Sequence, residues 1–215
     1  RNFRNLNNQI AIIGSGMMAR EVFHILIESG FEPVGFIDNV KPKAGSLPRP
    51  WLGGDEELSN LPNDGIDCFC LAVGDQFVRE TLFNRAQEAG LSGPLVVHPS
   101  AVVLTPLADL GEGTIVYPNA VVMNDCTIGR GVVINSGSQV AHDCRIADFV
   151  NLNPNSTLGG KVSVGTRSMV GMGASVREGI EIGSESIVGM GAAVIRDVVA
   201  GNTVLGIPAN PVTEE

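Results

Sequence analysis

Histidine is the side chain that most readily exchanges a proton near neutral pH, and this chain has three, His24, His98 and His142. His24 falls inside an apolar stretch of helical period and reads as structural. His98 precedes Pro99 and Ser100 where the sequence pattern changes, and reads as a hinge or packing residue. His142 is followed directly by Asp143, so an imidazole has a carboxylate for a neighbour. A second place with chemical potential is Gly14-Ser15-Gly16-Met17-Met18-Ala19, which follows an apolar strand, with Asp38 at the tip of the next. This spacing imitates a dinucleotide-binding fingerprint. Backbone amides from Gly14 to Met18 could hold a phosphate, with Asp38 on a base or ribose. A plain tight turn and a solvated aspartate fit the same residues. The four cysteines, Cys68, Cys70, Cys126 and Cys144, lack C-x-x-C spacing and histidine partners, so no metal site is expected. They read as reduced, buried small residues.

The element that must carry His142 is a repeat. Written in sixes from Leu110, the first column is aliphatic in fifteen consecutive hexads, from Leu110 and Val116 to Val188 and Val194. The fifth column, from Thr114 to Val198, is mostly small. Neither a helix nor an alternating strand has a period of six, and a short fixed period means a solenoid. Each hexad is expected to form one short strand and a turn, with the aliphatic inward and three hexads to a triangular coil. The 90 residues from Leu110 to Val199 then make five coils, and Leu104 starts a partial coil before them. Glycines directly after the aliphatic, such as Gly111, Gly159 and Gly171, suggest turns with positive φ. His142, third in its hexad, should face outward. Cys126 and Cys144 share a column 18 residues apart and should stack as inward small residues.

The first half reads differently. Gln9 to Ile13 is a strand, Met17 to Ser29 a helix, Pro33 to Ile37 a strand, Asp67 to Val73 a strand, Gln76 to Ala89 a helix and Pro94 to Val97 a last strand. Lys41 to Gly54, rich in Pro and Gly, is a loop rather than a helix. That is a small α/β unit with a Rossmann-like parallel sheet. The expected division is residues 1–98 and 99–215, a fold class of an α/β N-terminal unit followed by an all-β solenoid.

Composition narrows the partners. A net charge of -9 argues against a broad nucleic-acid surface. No apolar run approaches the roughly 20 residues that span a bilayer, and Arg1 to Gln9 lacks the apolar stretch of a signal peptide. No membrane association is expected, and a cytoplasmic location follows by default.

The hexad register, with the closing Gly206-Ile207-Pro208-Ala209, resembles the hexapeptide-repeat acyltransferases, whose coils wind left-handed against the usual crossover rule. With the N-terminal unit added, the chain is similar over nearly its whole length to the bacterial sugar acetyltransferases of the sialic acid O-acetyltransferase and nucleotide-amino-sugar N-acetyltransferase group. The markers are the Gly14 loop, Gly35-Phe36-Ile37-Asp38, Ala72-Val73-Gly74-Asp75 with Arg79, His98-Pro99-Ser100-Ala101, Ile134-Asn135-Ser136-Gly137 and Ala141-His142-Asp143-Cys144.

The resemblance implies a left-handed parallel β-helix and an acetyl-CoA co-substrate lying between subunits of a homotrimer. It implies a nucleotide sugar held by the first half through Gly14, Gly16, Met18, Asp38 and Gly74. His142 would be the general base and Asp143 its orienter. Asn135 and Asn151 would contact the sugar or acetyl group. Gly160, Met172, Met190 and Pro208 would bind acetyl-CoA, with Gly160 N–H as oxyanion donor. Three positions depart from the family pattern: Met18 and Asn151 stand where histidines are usual, and Asn210 where a lysine is usual. The implied reaction is acetylation of the amine of a nucleotide-linked dideoxy amino sugar for surface glycan or O-antigen biosynthesis. The alternatives are O-acetylation of a sialic-acid-like sugar and a non-catalytic nucleotide-binding trimeric scaffold.

Overall fold

A computed structural model describes residues 8–212; the polar segment before them, read above as lacking a signal peptide, lies outside the described residues. The chain divides into two compact units, the first ending at Val96 and the second beginning at Val97.

In the first unit a four-stranded parallel sheet has the order β3-β2-β1-β4, formed by β1 (Gln9–Ile13), β2 (Glu32–Ile37), β3 (Trp51–Gly53) and β4 (Cys68–Leu71). Ile10 to Ile13 are at most 1 % exposed, as expected of a central parallel strand covered on both faces. Helix α1 (Met18–Glu28) buries Ala19, Val22, Phe23, Ile25 and Leu26. Helix α2 (Gln76–Glu88) starts at Asp75, whose Oδ1 accepts from the N–H groups of Phe77 (3.0 Å) and Val78 (2.9 Å), satisfying two otherwise orphaned donors.

Two elements depart from expectation: Val96–Val97, the expected last strand, takes no place in the four-stranded sheet, and the end of the Lys41 to Gly54 loop is a strand. Trp51 pairs with Phe36 and Gly53 with Ile37. The Trp51 indole N–H donates to Asp38 O at 2.9 Å, and the Lys41 ammonium lies 5.1 Å over its ring. Gly53, at φ 139°, packs where a Cβ would meet Glu57 Cγ at 2.3 Å. The glycine marks a close approach rather than the end of order.

The second unit is a left-handed parallel β-helix of two-residue strands stacked into three faces. The first face runs through Ile115–Val116, Val133–Ile134, Asn151–Leu152, Met169–Val170 and Ile187–Val188. The second runs through Val121–Val122, Gln139–Val140, Thr157–Leu158, Ser175–Val176 and Ala193–Val194. The third runs through Thr127–Ile128, Arg145–Ile146, Ser163–Val164 and Glu181–Ile182. Within these faces partners lie 18 residues apart, for example Val140 with Leu158. The aliphatic column is buried throughout, from Leu110 at 7 % to Val194 at 2 %, and each such side chain contributes about 1.5–3 kcal/mol of burial. The small column is buried with it: Ala120, Ser138, Cys144 and Ala174 are all 0 % exposed.

The turn chemistry differs from expectation. Positive φ belongs to the fourth hexad position, every sixth residue from Gly113 to Gly191, occupied by eight non-glycine residues and six glycines. Its N–H donates to the third-position carbonyl of the coil before, as in Lys161 N–H to His142 O at 2.9 Å. Glycines after the aliphatic are needed for another reason. A Cβ on Gly159, Gly165 or Gly183 would lie 2.4–2.6 Å from a backbone nitrogen of the next coil, a distance no side chain survives.

Both ends of the solenoid also shift register. Val103, not Leu104, pairs with Val122, and Leu104 is 57 % exposed. At the other end Val198 bridges Ile182 and Val204 pairs with Val188, so the final coil is shorter and Val198 takes an aliphatic-column place rather than the small column. The chain then turns back antiparallel at Asn210–Pro211.

Candidate active site

His142 sits at the edge between the second and third faces, in the turn from Val140 to Arg145. Its Nδ1 lies 2.7 Å from Asp143 Oδ2. This edge conformation brings third- and fourth-position side chains together regardless of their chemistry, since one coil earlier Asn124 Nδ2 donates to Asp125 Oδ2 at 2.5 Å. The left-handed φ of 61° at Asp143 is therefore the scaffold's own geometry. A carboxylate can only accept, so Nδ1 carries the proton and Nε2 of the neutral ring keeps a lone pair. Both side chains are about half exposed. Among the described residues no group of three or more His, Cys, Asp or Glu could hold a metal ion.

Gly160 stacks one coil beyond His142. A Cβ on it would lie 2.6 Å from His142 Cε1 and 2.7 Å from Nε2, so the ring rests against its bare Cα. Its N–H donates to no other described group of the chain. Beneath this edge Cys126 and Cys144 are buried in the small column. Their thiols donate to the carbonyls of Ala141 (3.1 Å) and Gly159 (3.2 Å), the residues just before His142 and Gly160.

The other solenoid candidates fall elsewhere. Met172 and Met190 occupy the edge between the first and second faces and are 55 % and 79 % exposed. Pro208 follows a cis bond in Gly206-Ile207-Pro208-Ala209, a segment strapped to the second face by Ala193 N–H to Gly206 O (3.0 Å) and Ala209 N–H to Ala193 O (2.8 Å). His142, Gly160, Met172, Met190 and Pro208 thus all border one face. Asn151 lies on the first face and is 7 % exposed. Asn135 begins the edge next to it, its Oδ1 accepting from Ser136 N–H at 2.7 Å. The first face is opposite the edge that carries His142, so one chain alone does not bring Asn151 to the imidazole, whereas Asn135 shares the edge of Met172 and Met190.

In the first unit a cavity of about 430 Å³ opens at the carboxyl ends of the strands, lined by Gly14, Asp38, Val73, Phe77, Thr81 and Arg85 among others. Parallel α/β sheets bind ligands at this end. Gly14, at φ 107°, is forced: a Cβ there would lie 2.8 Å from Ala72 O. Asp38 holds the loop, Oδ2 accepting from Ser15 N–H (2.8 Å) and Oγ (2.7 Å) and Oδ1 from Val40 N–H (2.9 Å). The Ser15 amide is therefore taken, and helix α1 begins at Met18 after the N-cap Met17 with no side-chain cap. The buried Arg79 guanidinium donates to Val73 O (3.1 Å) and Gly74 O (3.2 Å), shaping the cavity wall. His24 is exposed on α1 with its ring edge-on to Phe23, and His98 Nδ1 accepts from Ser100 N–H at 3.1 Å.

Sequence reasoning missed the rim of this cavity. Arg85 Nη1 donates to Asp55 Oδ2 at 2.7 Å, and Asn39 Nδ2 donates to the same oxygen at 3.1 Å. Phe77, Thr81 and Arg85 share one face of α2 at four-residue spacing, a signal legible in the sequence.

Residues 9–86 match the family model of the PglD N-terminal domain, and residues 108–142 that of the bacterial transferase hexapeptide (six repeats). No curated protein matches. PerB of Caulobacter crescentus, solved with CoA and GDP-perosamine, is 35% identical, with a TM-score of 0.89 over 95% of this chain and 97% of that one. The acetyltransferase domain of PglB from Neisseria gonorrhoeae, solved also with acetyl coenzyme A, is 30% identical in that complex, with a TM-score of 0.87 over 96% of this chain and all of that one. WeeI from Acinetobacter baumannii is 27% identical, with a TM-score of 0.84 over 94% of this chain and 99% of that one. With this coverage and identity joined to both family models, the chain belongs to the hexapeptide-repeat bacterial sugar acetyltransferases that carry a PglD-type N-terminal domain.

Proposed function

We propose that the protein transfers acetyl from acetyl-CoA to the amine of a nucleotide-linked amino sugar. The observation that carries the reading is the edge at His142: Asp143 holds Nδ1 at 2.7 Å, Nε2 is left as an acceptor, and an unused amide, Gly160 N–H, lies beside it. The neutral amine attacks the thioester carbonyl as Nε2 takes its proton, and the oxyanion is met by Gly160 N–H. The tetrahedral intermediate then expels the CoA thiolate, which recovers the proton from the imidazolium. A positioned base contributes about 10²- to 10⁴-fold. Acetyl-CoA lies along the second face, between the His142 edge and the Met172–Met190 edge, under the strap that contains Pro208. The nucleotide occupies the cavity of the first unit against Gly14, with Asp38 fixing that loop and the Arg85–Asp55 rim beside it, while Gly16, Met18 and Gly74, also expected as contacts, lie outside the cavity lining.

The assembly is a homotrimer. Asn151 reaches an acyl site only when a second copy supplies it, because in one chain its face lies across the prism from the His142 edge. PerB was solved with GDP-perosamine, which supports a nucleotide-linked dideoxy amino sugar as acceptor and a role in surface glycan assembly. Acetyl-CoA and nucleotide sugars are cytoplasmic metabolites, and the cytoplasm is the proposed location. Among the described residues no helix is long and apolar enough to cross a membrane.

The test is CoA release with acetyl-CoA and a panel of GDP-, UDP- and dTDP-linked amino sugars, each beside its hydroxy counterpart. Amine-dependent release with a base-stable product is expected. A base-labile product from the hydroxy sugars would mean O-acetylation, and no turnover with tight nucleotide binding would mean a scaffold. Light scattering should return about three times the 22.5 kDa chain mass.

A further inference from the structure

We infer that Gly160 is a positioning residue whose missing side chain seats the His142 imidazole, a role separate from its amide. The inference rests on the function proposed above.

Fourteen third-position residues from Glu112 to Met190 occupy equivalent places in the repeat, and Gly160 is the single glycine among them. Proline, arginine, methionine and threonine are all accommodated there, so the backbone does not ask for glycine. Nor does φ, since Gly160 is absent from the left-handed set that occupies the fourth position. Glycines of the second position, such as Gly159 and Gly165, face backbone atoms of the next coil. Gly160 alone among the solenoid glycines faces a histidine ring. The three atoms nearest to where its methyl carbon would stand all belong to the imidazole: Cε1 at 2.6 Å, Nε2 at 2.7 Å and Nδ1 at 3.2 Å.

The contact completes a two-sided clamp. Asp143 holds Nδ1 at 2.7 Å and sets the tautomer, but one hydrogen bond leaves the ring free to swing about that contact. The bare Cα of Gly160 supplies the wall against which the ring lies, with Nε2 near the Gly160 amide. Base and oxyanion donor are thereby set side by side on adjacent coils.

Alanine at this position separates the roles, because it keeps the N–H and adds only the methyl. What the methyl strikes is the tip of a half-exposed side chain, so the ring moves away at small cost to the fold. Gly160→Ala should melt within a few degrees of wild type. It should lose about 10-fold or more in kcat, as expected for a misplaced catalytic group, with KM for acetyl-CoA changed less than about two-fold. In a His142→Asn background the same substitution should cost less than about two-fold, since no ring remains to displace. Nitrogen-edited NMR of the imidazole should report loss of the Nδ1–Asp143 hydrogen bond in Gly160→Ala. Wild-type kcat in Gly160→Ala, an equal loss with and without His142, or an unchanged imidazole spectrum would each overturn the inference. If the wild-type protein acetylates no amino sugar, the proposed function fails, and the imidazole spectrum still decides the positioning question.

Discussion

The two units solve the placement of functional groups in opposite ways. In the β-helix every hexad repeats one backbone, so the His142 edge has the same geometry as the Asn124 edge a coil before it, and chemistry is assigned by residue identity alone. In the α/β unit nothing repeats. The cavity exists because Gly14 ends β1 with a positive φ, Asp38 ties β2 to that loop through Ser15, and Arg79 shapes the turn after β4. A substitution in the solenoid should therefore act locally on chemistry or on one inter-coil contact. One in the α/β unit should act through the shape of a loop.

The sharpest test on the solenoid side is His142→Asn. The amide cannot accept a proton, so kcat should drop by about 10²-fold or more. The fall of rate at acid pH, where a protonated imidazole no longer accepts a proton, should disappear from the profile. Asp143→Asn keeps an acceptor for Nδ1 and should lose less. Near-wild-type kcat for His142→Asn on an amino-sugar substrate would remove the base from the mechanism and leave positioning and the oxyanion donor.

The next test contrasts two glycines of the solenoid. Gly165 faces Ser184, whose N and Cα would lie 2.4 and 2.7 Å from an added Cβ. These are backbone atoms of a packed coil that cannot swing aside. Gly165→Ala should cost about 1–3 kcal/mol, read as a melting point lower by about 2–4 °C per kcal/mol, whereas Gly160→Ala should hardly move it. Equal melting points for the two variants would refute the distinction between packing against backbone and packing against a ring.

How much of the molecule is legible in the sequence follows the same divide. The period of six exposes the solenoid, its inward columns and the outward His142, because each coil repeats one burial pattern. What the period hides is which position turns: φ has no signature when Asn119, Phe149, Lys161 and Arg167 all adopt 58–60°. The register slips at Leu104 and Val198 arise where the repeat ends, beyond the reach of a periodic argument. In the α/β unit strands β1 and β2 are legible from apolar runs. β3 is not, because Trp51 and Gly53 are held in place by tertiary contacts while their neighbours have the composition of a loop. The Asp55–Arg85 rim joins residues 30 apart, and only half of it, the spacing on α2, is visible in the sequence.

A smaller effect is expected in the α/β unit. Asp38 commits both carboxylate oxygens to the Gly14 loop and the turn beside it, so Asp38→Ala should loosen the cavity and raise KM for the nucleotide sugar by about ten-fold, with kcat at saturation nearly intact. Ser15→Ala removes only the Oγ contact and should raise KM less. Parallel losses of kcat and kcat/KM in Asp38→Ala would mean that the aspartate touches the reacting groups rather than the loop.

The smallest effect tests the claim that the solenoid asks only one thing of its fourth position. Lys161 is exposed, adopts φ 60° and makes no side-chain hydrogen bond or ion pair with a described residue, yet an L-residue in the left-handed region costs about 1–2 kcal/mol. Glycine relieves that strain while adding freedom to the unfolded chain worth about 0.5–1 kcal/mol. The two terms oppose each other, and Lys161→Gly should come out slightly ahead, by about 0.5 kcal/mol, or a melting point about 1–2 °C higher. The ladder bond from residue 161 N–H to His142 O is unaffected, since glycine keeps the amide. A lower melting point would mean that the Lys161 side chain contributes beyond its backbone. The positions of the edge next to His142 would then not be interchangeable with those elsewhere on the prism.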